Sequence, residues 1–176
     1  MKTTTCVTLL MMAAVVSSGC LAQPVVPLKR GDRAPGFRLQ ASDGKEYALA
    51  QFMGKQAVAV CWFPKAGSGG AKIQCAALEK ALASLPADTL RVFGCSTQPL
   101  DVTTAFAEEG KYSFPVLADA DRVAATAYGC LRPDGSSERW TFLIDDKGII
   151  LGINKNVTPQ TQGLSLIHIS EPTRPY

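Results

Sequence analysis

Apolar and polar residues alternate through Phe37-Arg38-Leu39-Gln40, give way to the turn-forming run Ser42-Asp43-Gly44-Lys45, and return over Glu46–Leu49. Successive side chains of a strand point to opposite faces, so this pattern predicts a hairpin. Ala57–Phe63 is instead continuously apolar, which suits a strand covered on both faces. The Gly-rich stretch Pro64–Gly70 predicts a loop. Over Ala71–Leu85 the positions Leu78, Ala81, Leu82 and Leu85 fall on one helical face, and Pro86 ends the helix. Leu90–Cys95 predicts a second apolar strand, Val102–Glu109 a helix stopped by Gly110, and Phe114–Leu117 a short extended piece. Arg122–Tyr128 predicts a helix with Gly129 at its end. Trp140–Ile144 and Ile149–Ile153 flank Asp145-Asp146-Lys147-Gly148, a hairpin with glycine where a positive φ is needed.

Strands alternating with helices, followed by a closing hairpin, predict an α/β sheet with helices on both faces. In such sheets ligands and chemistry gather at the carboxyl ends of the strands. That places Pro64–Gly70, between the first apolar strand and its helix, where a site is expected.

The two ends of the chain read differently. Met1–Ala22 has the form of an export signal: Lys2 supplies the positive start, Val7–Val16 an apolar run too short to span a bilayer, and Ser17, Ser18 and Gly19 the small residues before cleavage. Two processing routes fit. Cys20-Leu21-Ala22 before Gln23 suits ordinary cleavage, whereas Ser17-Ser18-Gly19-Cys20 resembles a lipobox with Cys20 as the lipidated residue. Both predict an exported protein of the periplasm or cell envelope, with membrane contact only through a lipid on Cys20. Leu164–Arg174 matches the translation of a sequencing-library adapter over eleven residues, so Leu164–Tyr176 is set apart from the fold. The predicted domain is Gln23–Gly163, a single domain that ends short of its natural C-terminus.

The net charge of the 176-residue chain is only +3, without a basic block, which gives no ground for a nucleic-acid partner. The one histidine, His168, lies in the excluded tail. Cys6 and Cys20 lie in the signal, leaving Cys61, Cys75, Cys95 and Cys130. Without a C-x-x-C pair or a usable histidine these form no zinc pattern, and neither a metal nor a cofactor is expected. Cys61 and Cys95 sit in apolar strands and read as core residues. Cys130 follows a helix and reads as packed or as a partner thiol.

Four motifs in order are shared with one family. Gly31-Asp32-Arg33-Ala34-Pro35-Gly36-Phe37, Trp62-Phe63-Pro64-Lys65-Ala66, Ala127-Tyr128-Gly129 and Arg139-Trp140-Thr141-Phe142-Leu143-Ile144-Asp145 resemble landmarks of the alkyl hydroperoxide reductase/thiol-specific antioxidant superfamily, the peroxiredoxins. The resemblance covers Leu28 to Pro159. It implies a thioredoxin-like fold, with a central mixed sheet, helices on both faces and an N-terminal β-hairpin extension. It also implies a thiol peroxidase that takes peroxides and is recycled by a thioredoxin-like reductant, with an oligomeric state the sequence leaves open. In the family pattern P-x-x-x-T-x-x-C, Pro64 takes the proline, Ser68 the threonine and Ala71 the place of the peroxide-attacking cysteine. Cys75 falls at a second cysteine position, and Arg139 is the implied site arginine.

A thiolate attacks one peroxide oxygen and the other departs, so the thiol pKa must fall below its ordinary value of about 8.5. A helix N-terminus and an arginine both favour the anion, a hydroxyl orients the peroxide, and the proline shields the site. Pro64, Ser68 and Arg139 are thus the expected frame around a position that has no sulfur. Cys75, one turn on, shares a stripe with Ala71, Leu78 and Leu82. It reads either as a small core residue or as a weakly reactive thiol. Two functions follow: a peroxiredoxin-type enzyme impaired by Ala71, or a non-catalytic thioredoxin-fold module that binds a partner or a small anion at the Ser68–Ala71 helix terminus.

Overall fold

The computed structural model describes residues 27–84 and 90–159. The expected export signal with Cys20, the expected helix end at Leu85 and Pro86, and the Leu164–Tyr176 tail lie outside the described residues.

The hairpin expected after Phe37 is β1 (Arg38–Ala41) paired antiparallel with β2 (Glu46–Ala48), followed by a 3-10 turn at Leu49–Phe52. The continuous apolar run forms β3 (Ala57–Trp62), and helix α1 (Gly69–Ser84) crosses to β4 (Leu90–Ser96). Then come α2 (Leu100–Gly110), β5 (Val116–Ala118), α3 (Val123–Ala127), β6 (Thr141–Ile144) and β7 (Ile150–Asn154). One seven-stranded sheet results, in the order β2-β1-β5-β4-β3-β6-β7. The β3–β4 and β4–β5 pairs are parallel, and β3–β6, β6–β7 and β1–β5 antiparallel, so the sheet is mixed.

β3 lies inside the sheet with both faces covered, which is why its sequence does not alternate. Val58, Val60 and Trp62 pack with Phe93, Phe142, the α3 residues Ala124 and Ala125, and Tyr128 just beyond the end of α3. Ala59 and Cys61 face the other way, onto Ala71, Cys75 and Leu78 of α1 and Phe106 of α2. Helices therefore cover both faces, as the element order requires.

Two boundaries differ from expectation for local reasons. Helix α1 starts at Gly69 rather than Ala71, because Ser68 caps it and admits Gly69 and Gly70 to the first turn. Helix α2 runs through Gly110, and Lys111 takes the left-handed conformation (φ 49°) that ends it. Gly110 is needed for another reason: a Cβ there would fall inside the Tyr112 ring, which folds back over the helix end. Gly148, at φ 80°, closes the β6–β7 hairpin as expected.

Candidate functional site

The β3–α1 loop turns the chain from the sheet edge into the first turn of α1. Ser68 makes that turn. Its Oγ accepts from the Ala71 N–H at 3.2 Å and donates to the Lys65 carbonyl at 2.7 Å, while its own carbonyl accepts from the Lys72 N–H at 3.0 Å. One hydroxyl thus satisfies a free helix donor and ties the loop to itself. Ala71 sits at the third helical position with its methyl group completely buried among Ala59, Cys61, Phe63 and Cys75.

Arg139, in the segment entering β6, reaches the same turn from the other side. Its Nη1 donates to the Gly70 carbonyl at 3.4 Å and to Gln74 Oε1. The other guanidinium nitrogen would stand 3.0 Å from a Cβ on Gly70, so the glycine admits the arginine. Gln74 is fully buried, and its Nε2 donates to the Trp62 carbonyl at 3.2 Å. This amide links the end of β3 to the guanidinium. Burial pulls the Arg139 pKa down from its ordinary value, and the neighbouring Cys75 opposes that shift.

Cys75 is completely buried, one turn beyond Ala71. Burial pushes its pKa far up, and the Cys61 and Glu79 charges add to the rise. The Arg139 charge and a hydrogen bond with the Tyr112 hydroxyl act the other way without overcoming it. Tyr112 is itself raised to about 12, first by burial and then by Cys75 and Glu109. Its segment is tied to α1 by two contacts: Glu79 accepts from the Ser113 N–H at 2.5 Å, and Lys72 pairs with Glu109 at 2.5 Å.

The structure therefore brings Ser68, Ala71, Cys75 and Arg139 onto the opening turns of one helix. Pro64 is half-buried and lines a cleft at the carboxyl ends of β3 and β4 that none of those four residues lines. Cys61, Cys95 and Cys130 are fully buried, and Cys130 is packed rather than presented to a partner. Gln74 and Tyr112 were not singled out by sequence. Gln74 had a signal, being a polar residue inside the apolar stripe of α1. Tyr112 had none, because its contact with Cys75 depends on how two helices meet.

A family model described as AhpC/TSA family matches residues 30–153, most of the chain and the whole of this site. The chain belongs to that family. Peroxiredoxin Bcp of Escherichia coli (strain K12) is 33% identical over 131 residues, covering 70% of this chain and 83% of the relative. The 2-Cys peroxiredoxin of Plasmodium vivax superimposes with a TM-score of 0.68 at 27% identity, over 74% of this chain and 73% of that one. Peroxidoxin BcpB from Mycobacterium tuberculosis gives 0.71 at 22% identity, over 81% and 96% of the two chains, a likeness of fold. The peroxiredoxin and thioredoxin-fold expectations are thereby met, and AhpC/TSA proteins are peroxide-reducing antioxidant oxidoreductases.

Proposed function

We infer that this AhpC/TSA chain retains the frame of a thiol peroxidase but lacks the sulfur that would react. The observation that carries the reading is Ala71, completely buried at the capped first turn of α1 beside Arg139. The peroxiredoxin pattern puts the attacking cysteine at this position. A thiolate here would take one peroxide oxygen, the O–O bond would break, and the departing alkoxide would gain a proton. The products would be a sulfenic acid and an alcohol, and a thioredoxin-like reductant would return the thiol.

Each part of the frame suits that step. The helix terminus and the guanidinium stabilise negative charge. The Ser68 hydroxyl holds the turn in register, so its work is positional before any contact with peroxide. Cys75 is a poor substitute, because its thiol is buried beneath Tyr112 and held protonated by burial. In this reading the natural chain turns over little or no peroxide. Its place of action is the periplasm or cell envelope, supported by the composition of Met1–Ala22, and N-terminal mass spectrometry would distinguish cleavage after Ala22 from a lipid on Cys20.

The test is Ala71→Cys. One sulfur added to this site should titrate below the ordinary thiol value of about 8.5 and form sulfenic acid with peroxide, followed by thiolate absorbance and sulfenate trapping. One to two pKa units of depression correspond to about 1.4 to 2.7 kcal/mol of thiolate stabilisation, within reach of a helix terminus and an arginine. An ordinary pKa with no sulfenate formed would refute the reading of a preserved frame. Rapid peroxide turnover by the natural chain, lost in Cys75→Ala, would refute the assignment of Ala71 as the missing step.

A further inference from the structure

Beyond the carboxyl ends of β3 and β4 lies an open cleft of about 430 Å³ that Pro64 lines and that Ser68, Ala71, Cys75 and Arg139 do not. Three of its lining residues are cations: Lys65, Arg122 and Arg132. Its one carboxylate, Asp134, is already committed, accepting from the Ser136 N–H at 2.9 Å and the Ser136 hydroxyl at 2.6 Å. Arg132 has a distant partner, Glu138, at 3.5 Å. Among the described residues Lys65 and Arg122 form no salt bridge. Three cations therefore face the cleft against the Asp134 carboxylate and the Glu138 paired with Arg132, which leaves an excess of positive charge on Lys65 and Arg122.

Arg122 is held in an unusual way. Its backbone is left-handed, at φ 62° and ψ 17°, a conformation glycine adopts freely and arginine adopts at a cost. Its guanidinium lies flat on Gly135, where a Cβ would stand 2.9 Å from Cζ. Gly135 is itself at φ 79°, and its missing side chain leaves the room that the guanidinium takes. The turn carrying Gly135 is anchored below: the Arg132 N–H donates to the Ser136 carbonyl at 2.8 Å, and the buried Ser137 hydroxyl donates to the Phe63 carbonyl at 2.9 Å. A guanidinium on so rigid a base is pre-organised for a planar oxyanion.

A second feature narrows the ligand. Gln98 lines the same cleft, and its Oε1 is buried without a hydrogen-bond partner among the described residues. A buried acceptor left open calls for a donor. We propose that this cleft binds a small oxyanion that carries an O–H group, a hydroxycarboxylate or a hydrogen phosphate. The arginines take the oxyanion, and Gln98 turns its occluded Oε1 toward the cleft to take the O–H. Lys65 belongs to the loop whose carbonyl accepts from Ser68, so the cleft and the α1 cap share one loop. The site needs no thiol, so it stands whether or not Ala71→Cys becomes reactive.

The experiment is an amide-shift titration of the full chain at matched ionic strength, with glycolate, acetate and inorganic phosphate as probes. Glycolate or phosphate should give saturable amide shifts confined to Lys65, Thr97, Gln98, Arg122, Arg132 and residues 134–136, and the tighter of the two identifies the carboxylate or the phosphate class. Acetate, which lacks the O–H, should bind several-fold more weakly. Arg122→Gly should weaken binding about ten-fold, the scale of one charge-assisted hydrogen bond. Because glycine accepts the backbone angle, the thermal midpoint of that variant should hold or rise. Shifts that fail to saturate, or that survive Arg122→Gly in a folded protein, would overturn the site. Equal binding of acetate and glycolate would overturn the assigned ligand class.

Discussion

Cys75 shows how little a residue's position in a motif says about its reactivity. It lies one turn from the place where a peroxiredoxin reacts, yet it is completely buried in one cluster with Ala59, Cys61 and Phe106, and Tyr112, packed on that cluster, hydrogen-bonds to it. The cover depends on Gly110, since any side chain there would occupy the space of the ring. Gly110→Ala should therefore displace Tyr112, cost about 1 to 3 kcal/mol as an overpacked site, and raise the rate at which a thiol reagent modifies Cys75 in the native protein. Tyr112→Phe keeps the ring and should leave that rate near the natural value. Peptide mass spectrometry after timed labelling reads both. Equally fast labelling of Cys75 in the natural chain would show that the ring is no cover.

At the scale of elements, α1 is where sequence and site meet. Its opening is stabilised from two directions, by the Ser68 cap and by Arg139 through Gly70 and Gln74. Ser68→Ala should cost about 1 kcal/mol, while Ser68→Thr should be nearly neutral. Arg139→Ala should cost about 1 to 3 kcal/mol, because it removes a charged donor from the buried Gln74 oxygen and from the Gly70 carbonyl. Both act on one turn, so the double variant should lose less than the sum. Urea unfolding of the four proteins measures this, and strict additivity would show two independent contacts. The same helix marks what the sequence could tell. Its apolar stripe and the unbroken run of β3 are repeated physical signals, and they placed the sheet and its covering helix while leaving Cys75 open between a core residue and a weakly reactive thiol. The cap at Ser68 moved the start by two residues, which periodicity cannot register because Gly69 and Gly70 carry no side chains. Arg139 was placed at the site by resemblance alone. Its route through Gln74 joins positions far apart in the chain, and no local pattern encodes that.

At the scale of the whole molecule, the thiols lie on both sides of the sheet, Cys75 on the α1 face and Cys95 and Cys130 on the α3 face. All three are fully buried, and burial is the main cause that raises each pKa, that of Cys130 to about 12 and those of Cys75 and Cys95 well above the ordinary thiol value. In the unfolded chain the same groups release their protons near pH 8.5. Below that pH both states hold the proton and stability is unaffected. Above it the unfolded state loses protons that the native state keeps, so stability falls as pH rises. Each thiol contributes about 1.4 kcal/mol per pH unit in this window, and the three together about 4 kcal/mol per unit. Against a typical total of about 5 to 15 kcal/mol, one or two units of alkalinity should unfold the protein. Urea midpoints measured under reducing conditions from about pH 7 to pH 10 test this, with the decline expected only above about pH 8.5. Cys130→Ala should remove about a third of the slope, whatever its effect on stability at neutral pH. A midpoint that stays level through this range would mean that the thiols are open to water in the folded state.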